Sequence, residues 1–307
     1  MANNTMTGFL LMGFSNTWEL WVLHAMLFLL IYLVALMGNL IIFTLITLDE
    51  HLHSPMYFFL KHLSLLDICF ISTTLPKSIT NSLCSSRSIS FTGCALQLFL
   101  VIFFAASELL LLTMMSYDRY VAICQPLHYE VIMTRRTCMK MATVSWISGG
   151  LLGALYSVST FTLPFCSSVI HQFFCDVPAL LRISCSETYI AVDFTMAFGF
   201  ALEIFCLIYI TISYSHIFST VLKIPTTEGR SKAFSTCLPH LIVLMVFITA
   251  GSIVYLNSQQ GSDSILDLLL SIIYTVVPPT LNPVIYSLRN KDIKTSLRKL
   301  IDWKHLL

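Results

Sequence analysis

Charge is what this chain lacks. Only 11% of its 307 residues are Asp, Glu, Lys or Arg, against about 25% in a soluble domain. The 17 basic and 16 acidic residues nearly cancel, which excludes a nucleic-acid binder drawn in by bulk charge. Internal repeats and Gly/Pro-broken helices in matching halves are missing, and with them the signature of a transporter. No filter or ring of charges suggests a channel. No HExxH or GxSG-type motif is present, so an intramembrane enzyme would have no metal ligands and no nucleophile beside a base. Soluble domains and low-complexity tracts are absent too.

Apolar residues fill the space that charge leaves. They make up 56% of the chain, and mean hydropathy is +0.81. No soluble core could hide that much apolar surface, so the solvent is a bilayer. A transmembrane helix needs about 20 mostly apolar residues. Runs of that kind cover Trp21–Leu48, Met56–Ser78, Cys94–Ile123, Cys138–Leu163, Ala191–Leu222, Phe234–Leu256 and Ile265–Leu288. The expected fold is an all-α membrane protein, a seven-transmembrane helix bundle with a short amphipathic C-terminal helix. Residues 1–307 form one domain, with 1–20 as an N-terminal segment and 289–307 as a tail. The first run is too long, and too uncharged at its start, for a cleaved signal peptide, and reads as an uncleaved anchor.

Orientation follows from the basic residues of the short loops. Thirteen of the 17 fall at the facing ends of the third and fourth runs and between them, after the fifth run, or in the tail. Lys77, Arg87 and Arg182 fall on the other side, and Lys61 lies inside the second run. The N-terminus is therefore expected outside a multi-pass plasma-membrane protein and the tail in the cytoplasm. Asn3-Asn4-Thr5 then becomes an accessible glycosylation sequon on Asn3.

The few intramembrane charges carry the functional argument. Asp118 and Arg119 follow one of the most apolar stretches. Arg119 is 25 residues after Cys94, roughly 37 Å along a helix, so the pair lies at the cytoplasmic mouth of the bundle. Adjacent residues point in different directions on a helix, so each can hold a different neighbour. Asp67 and Glu108 each lie 11 residues in from the same side, roughly 16 Å deep. Two carboxylates at equal depth on consecutive spans can meet, and would need a cation or a shared proton. Asn39 and Asn282 can supply nearby amides. Glu203 is a third acid and shares a face with Thr195 and Gly199. It is either a ligand contact or a protonated side chain bonded to a neighbouring helix.

Three cysteines, Cys166, Cys175 and Cys185, lie between the fourth and fifth runs, with Cys94 on the same outer side. That compartment is oxidising, so bridges are expected, but four cysteines allow three pairings and spacing does not choose. A metal reading of Cys166, His171 and Cys175 is set aside because bridges consume the thiols. Cys69, Cys206 and Cys237 read as packing residues, Cys124 and Cys138 as free thiols, and Cys84 has no assignment.

Several stretches together carry a resemblance: "MSYDRYVAICQPLHY" from Met115, Gly38-Asn39, "LHSPMYFFL" from Leu52, "LSLLD" ending at Asp67, Ser213-Tyr214, "KAFSTC" from Lys232 and "PTLNPVIYSLRN" from Pro279. In this order they resemble the olfactory receptors, within the rhodopsin-like G-protein-coupled receptors. The resemblance implies a receptor for a small, mostly apolar odorant. It also implies coupling to a heterotrimeric G protein of the stimulatory olfactory type, a rise in cyclic AMP, and a place in the membrane of olfactory cilia. Asp118, Arg119, Tyr120, Tyr214, Tyr286 and Lys232 correspond to the G-protein switch. The Asp67 position corresponds to a sodium site. Cys94 pairs with Cys175 in the family pattern, leaving Cys166 with Cys185, and the doubly tied loop becomes a lid. Register from Arg119 places Val101, Ile102, Ala105 and Ala106 at a ligand pocket with Phe198, Gly199, Leu202, Glu203, Gly251, Ser252, Tyr255, Ile272 and Thr275. This lining suits a small apolar ligand oriented by one or two hydrogen bonds.

Two departures from the pattern are Pro239 before His240, where a serine is usual, and Ile248-Thr249 after Phe247. The nearest rival is a rhodopsin-like receptor for a small lipid-like ligand. An amine receptor would put an acid near Val101, so Val101 argues against one.

Overall fold

A computed structural model of the chain describes residues 7–12, 18–83, 87–186, 188–223, 225–257, 265–289 and 291–304. Seven long helices carry the apolar runs: α1 (Trp18–Leu48), α2 (Pro55–Leu83), α3 (Phe91–Cys124), α5 (Arg135–Phe161), α7 (Ile190–Leu222), α8 (Thr227–Asn257) and α9 (Ile265–Arg289). Short helices α4 (Tyr129–Ile132), α6 (Val177–Arg182) and α10 (Lys291–Lys304) sit in the connections and the tail. Most of these helices begin before, or end after, the apolar run that marks them. Polar caps extend them past the hydrocarbon: Ser90 accepts from the Gly93 amide and Thr134 from the Thr137 amide, each satisfying a first-turn N–H.

Six helices among the described residues are long and apolar enough to cross a membrane. Their outer faces suit nothing but lipid. Leu23, Leu30, Phe194 and Phe205 are each at least 60% exposed. α8 runs from Thr227 to Asn257 straight through Pro239, so that residue does not end the sixth span; its side chain lies outside the described residues.

Glycine decides how closely α3 and α5 approach. A Cβ on Gly149 would lie 2.7 Å from the Phe103 carbonyl oxygen, and one on Gly153 2.7 Å from that of Phe99. Two glycines four residues apart thus let backbones touch where a side chain would hold them apart.

One end of the bundle holds the disulfides and the other holds the C-terminal tail. At the disulfide end lies a three-stranded sheet that helical periodicity does not announce. Its order is β2-β1-β3, from β1 (Gly8–Leu11), β2 (Ser88–Ser90) and β3 (Val169–Ile170). β1 runs antiparallel to β2 and parallel to β3. It buries Phe9 against Phe91 and Phe165, with ring centroids 5.9 and 5.4 Å away. Residues 8–11, within the N-terminal segment, are thus part of the cap. At the tail end α10 docks through Ile293, which is 1% exposed. The Tyr57 hydroxyl donates to Asp292 at 2.8 Å. The Ser296 hydroxyl donates to Asp49 and holds its carboxyl below the usual range.

Candidate functional site

Three polar assemblies are strung along α3. The first lies at the disulfide end. Cys94 is joined to Cys175, and Cys166 to Cys185. Gln97, one turn into the bundle, holds the same loop a second way. Its Oε1 accepts the Cys175 amide at 2.9 Å while its Nε2 donates to the Thr73 carbonyl at 2.9 Å. Ser78 donates to the Phe173 carbonyl at 2.9 Å. Asp176 is buried, and accepts from the Tyr274 hydroxyl and from the Val177 amide, both at 2.8 Å. Burial pushes its carboxyl up to about 6, partly offset by those hydrogen bonds and by Arg182. The loop is therefore sewn to α2, α3 and α9 and closes that end of the bundle. Gln97, Asp176 and Tyr274 are not singled out by sequence reasoning. Asp176 follows Cys175 directly, and that adjacency was the available signal.

The second assembly lies at mid-helix. Asp67 and Glu108 are both fully buried. One side chain bridges them: Asn282 Nδ2 donates to Asp67 Oδ1 at 3.1 Å, to Asp67 Oδ2 at 2.9 Å and to Glu108 Oε1 at 3.3 Å. Glu108 Oε2 and Asn282 Oδ1 are buried with no hydrogen-bond partner. Asn39 is drawn elsewhere, donating to the Pro279 carbonyl at 2.8 Å and the Ala35 carbonyl at 3.0 Å. It ties α1 to α9 rather than serving the acids. Two carboxylates and orphaned oxygens fit a hard cation, which takes oxygen ligands, and fit a shared proton equally well.

The third assembly lies at the tail end. Asp118 Oδ1 accepts the Tyr129 hydroxyl at 2.8 Å, so the first residue of α4 holds the acid of the Asp-Arg pair. Burial and that carboxylate push the Tyr129 hydroxyl well above its ordinary range. Arg119, in the last turns of α3, is half-buried at the same end. Tyr214 Oη and His240 Nδ1 are 2.7 Å apart, and His240 Nε2 is 3.0 Å from the Leu112 carbonyl oxygen. A carbonyl only accepts, so Nε2 carries a proton. In a neutral imidazole Nδ1 is then the acceptor, and the tyrosine donates. His240 thereby knots α3, α7 and α8 together. Tyr286 Oη is buried without a partner. Tyr120 lies over Tyr117, ring centroids 6.4 Å apart. The Lys232 side chain lies outside the described residues. Sequence reasoning named His240 only as the neighbour of Pro239; a lone histidine between apolar residues in a span was the missed signal.

The pocket residues divide by face. Val101 is buried and Ala105 packs with it in the main core, whereas Ile102 and Ala106 pack toward the cluster beneath the sheet. Leu202 borders both clusters. Ser252 Oγ donates to Glu203 Oε1 at 3.3 Å across α7 and α8, so the Glu203 carboxyl has a neighbouring-helix partner. Thr275 is buried and donates to the Ser271 carbonyl at 2.6 Å, and Ile272 lies partly buried in the main core. Phe198 is 51% exposed and does not face the interior. Gly199 faces Tyr156 of α5, whose hydroxyl would be 2.3 Å from any Cβ added there. Thr195 and Glu203 hold to the interior while Phe198 is turned about 100° from Gly199. The side chains of Gly251 and Tyr255, and Asn3 with Cys84, lie outside the described residues.

The sequence profile of the family described as "Olfactory receptor" matches residues 28–304. Human olfactory receptor 14A2 is 60% identical over 303 residues, covering 98% of this chain and 96% of that protein. Human olfactory receptor 14A16 is 56% identical over 306 residues, covering 99% of each. Olfactory receptor 1G1 of Gorilla gorilla gorilla is 45% identical over 294 residues, covering 95% of this chain and 94% of that one. Among solved structures, the crystal structure of squid rhodopsin superposes with a TM-score of 0.72 at 17% identity, over 95% of this chain and 88% of that chain. At that identity the likeness speaks for the seven-helix fold alone.

Proposed function

The chain belongs to the olfactory receptor family, a multi-pass membrane receptor for a small molecule that signals through a G protein rather than an enzyme, and from that premise we propose how it works. The N-terminus and the disulfide-tied lid face outward. A small, mostly apolar odorant binds beneath the lid, among Val101, Ala105, Leu202, Glu203, Ser252 and Ile272. The tail end faces the cytoplasm, where Arg119, Tyr214 and Tyr286 form the switch that engages a stimulatory olfactory G protein. Ciliary plasma membrane is the expected location. The observation that carries this reading is the construction of α3. One helix is locked under the lid at Cys94, is tied through His240 to Tyr214 at Leu112, and carries Arg119 near its far end.

The two ends are too far apart for a ligand to touch the switch, so coupling is a two-state movement of the bundle that both ends bias. In the resting state His240 holds α8 to α3 and α7. Release of that knot frees α8 to move and frees Tyr214 to meet Arg119. The mid-helix acids act as a sensor of state. Asp67, Glu108 and the orphaned Asn282 oxygen would hold a sodium ion, or share a proton, in one arrangement of α2, α3 and α9. Either supplies the positive charge that two buried carboxylates demand.

The test is a panel of small volatile ligands applied to cells that express the receptor, with cyclic AMP and ion flux read together. Ligand-dependent cyclic AMP without direct ion flux is expected. A response only to long-chain lipid ligands, or cyclic AMP unchanged across the panel while another second messenger rises, would overturn the ligand class or the G-protein type respectively.

A further inference from the structure

At the disulfide end, β1, α1, α2 and the lid border a small cavity of about 30 Å³. A cavity needs about 10–15 Å³ to hold one water. This one therefore takes a single ion or a pair of waters and no organic ligand. Leu11 of β1, Trp21 of α1, Asn81 of α2, Phe173 of the lid and Arg87, just before β2, line it. Ser78 and Ser82 line it too, but their hydroxyls already donate to the Phe173 and Ser78 carbonyls, both at 2.9 Å.

Two donors on this cavity lack an oxygen to bond. Asn81 is only 8% exposed, and its Nδ2 is buried with no hydrogen-bond partner. A buried donor left unmet destabilises the fold. Arg87 is half-buried, its guanidinium 3.4 Å over the Trp21 ring. Stacking covers one face of that group and leaves the N–H donors in its plane free to point outward. One of them meets Met12 Sδ at 3.6 Å, and a thioether is a weak acceptor. No Asp or Glu is among the described lining residues, where His24 is the one further basic group. An amide N–H and a guanidinium repel a metal ion. A single anion accepts from both at once and neutralises the guanidinium.

We propose that this cavity binds a small monovalent anion, chloride, held by Asn81 Nδ2 and the Arg87 guanidinium. The ion joins Arg87, beside β2, to the last turn of α2, while Trp21 joins the same guanidinium to α1. The Leu11 amide donates to the Arg87 carbonyl at 2.9 Å, so an ion held on Arg87 steadies β1 as well. Bound chloride is thus a fastener of the cap. The inference rests on neither the odorant nor the G protein, and its readouts need no signalling.

The full receptor, purified in detergent, tests this by chloride nuclear magnetic resonance, in which exchange onto a protein site broadens the line of the bulk ion. The broadening should saturate with chloride. Asn81→Asp puts a carboxylate oxygen where the amide donates, and Arg87→Gln removes the cation. Each should weaken binding about tenfold or more, as a hydrogen bond to a charged group contributes at least that factor. Lys77→Gln removes a cation of α2 that does not line the cavity and should leave binding unchanged. A second measurement needs no variant. Replacing chloride with gluconate, too large for the cavity, at matched ionic strength should lower the thermal midpoint of the unmodified receptor by roughly 3 °C. Broadening that never saturates would overturn the proposal, as would saturable broadening kept in both Asn81→Asp and Arg87→Gln. Equal midpoints in chloride and gluconate would show that water alone meets Asn81, and would overturn it too.

Discussion

His240 and Asp67 each make a case for a single side chain setting a state. His240 has a donor on one ring nitrogen and an acceptor on the other, and both are used, across two helix boundaries. A net hydrogen bond of this kind contributes about 1 kcal/mol. Replacing His240 with Phe keeps a ring of similar bulk and removes both bonds. We expect basal cyclic AMP, normalised to surface receptor, to rise by up to roughly thirtyfold, since two such bonds amount to about 2 kcal/mol and every 1.4 kcal/mol is a factor of ten. Unchanged basal signalling would make the knot a packing feature only. Asp67→Asn keeps an oxygen to accept the Asn282 amide but removes one of the two charges. Surface expression should hold while odorant-stimulated cyclic AMP falls and loses its dependence on sodium. If Asp67→Asn and Glu108→Gln both leave the response and its sodium dependence alone, the assembly is structural.

Whole elements are held by features that single residues interrupt. The contact of α3 with α5 depends on Gly149, where a Cβ would overlap Ser107 Oγ at 2.1 Å as well as the Phe103 carbonyl. Gly149→Leu must push the helices apart, and overpacking of this kind costs about 1–3 kcal/mol. The thermal midpoint of purified receptor should drop by several degrees, with Gly150→Leu, whose Cβ position meets only the Phe103 ring edge at 3.9 Å, falling less. The lid is held partly by Asp176, whose carboxyl burial raises to about 6 from an ordinary 3.8. The protonated form is the one the fold favours. Its stabilisation is therefore fully present below the unfolded value near 4 and is lost as pH rises through about 6. A two-unit shift corresponds to about 2–3 kcal/mol. The unmodified receptor should melt at higher temperature at pH 5 than at pH 7, and Asp176→Asn should flatten that difference. A pH dependence identical in the two proteins would show that Asp176 is not its source.

On the scale of the whole molecule the question is how a lid and a switch at opposite ends communicate. In the proposed mechanism Arg119 does not reach the ligand, and so its removal should leave ligand binding largely intact. We expect Arg119→Ala to abolish odorant-stimulated cyclic AMP while a labelled odorant still binds at the surface. Asp118→Asn weakens the acceptor for Tyr129 and should raise basal activity. A fully signalling Arg119→Ala receptor would reduce the pair to charges at a helix end, reaching water where the bilayer stops.

Scarcity of charge and seven apolar runs were enough to determine a seven-span bundle, because each run must satisfy its own backbone hydrogen bonds in lipid and only helices do so within one segment. The equal depth of Asp67 and Glu108 was legible by counting, since rise per residue is constant. What counting along a helix leaves open is rotation about its axis and the partner on the next helix. Phe198 and Gly199 are adjacent in sequence, yet one faces away from the bundle and the other meets Tyr156. Asn282 bridges two acids while Asn39 turns to Pro279. Residues 8–11 join strands from two other loops, a pairing between segments far apart that no local pattern encodes. Likewise Lys61 and Arg135 are separated by more than seventy residues and line one groove. Composition and periodicity act within a segment and determined which stretches cross the membrane. Contacts between segments depend on how the helices turn and pack, and that was decided only when they closed on one another.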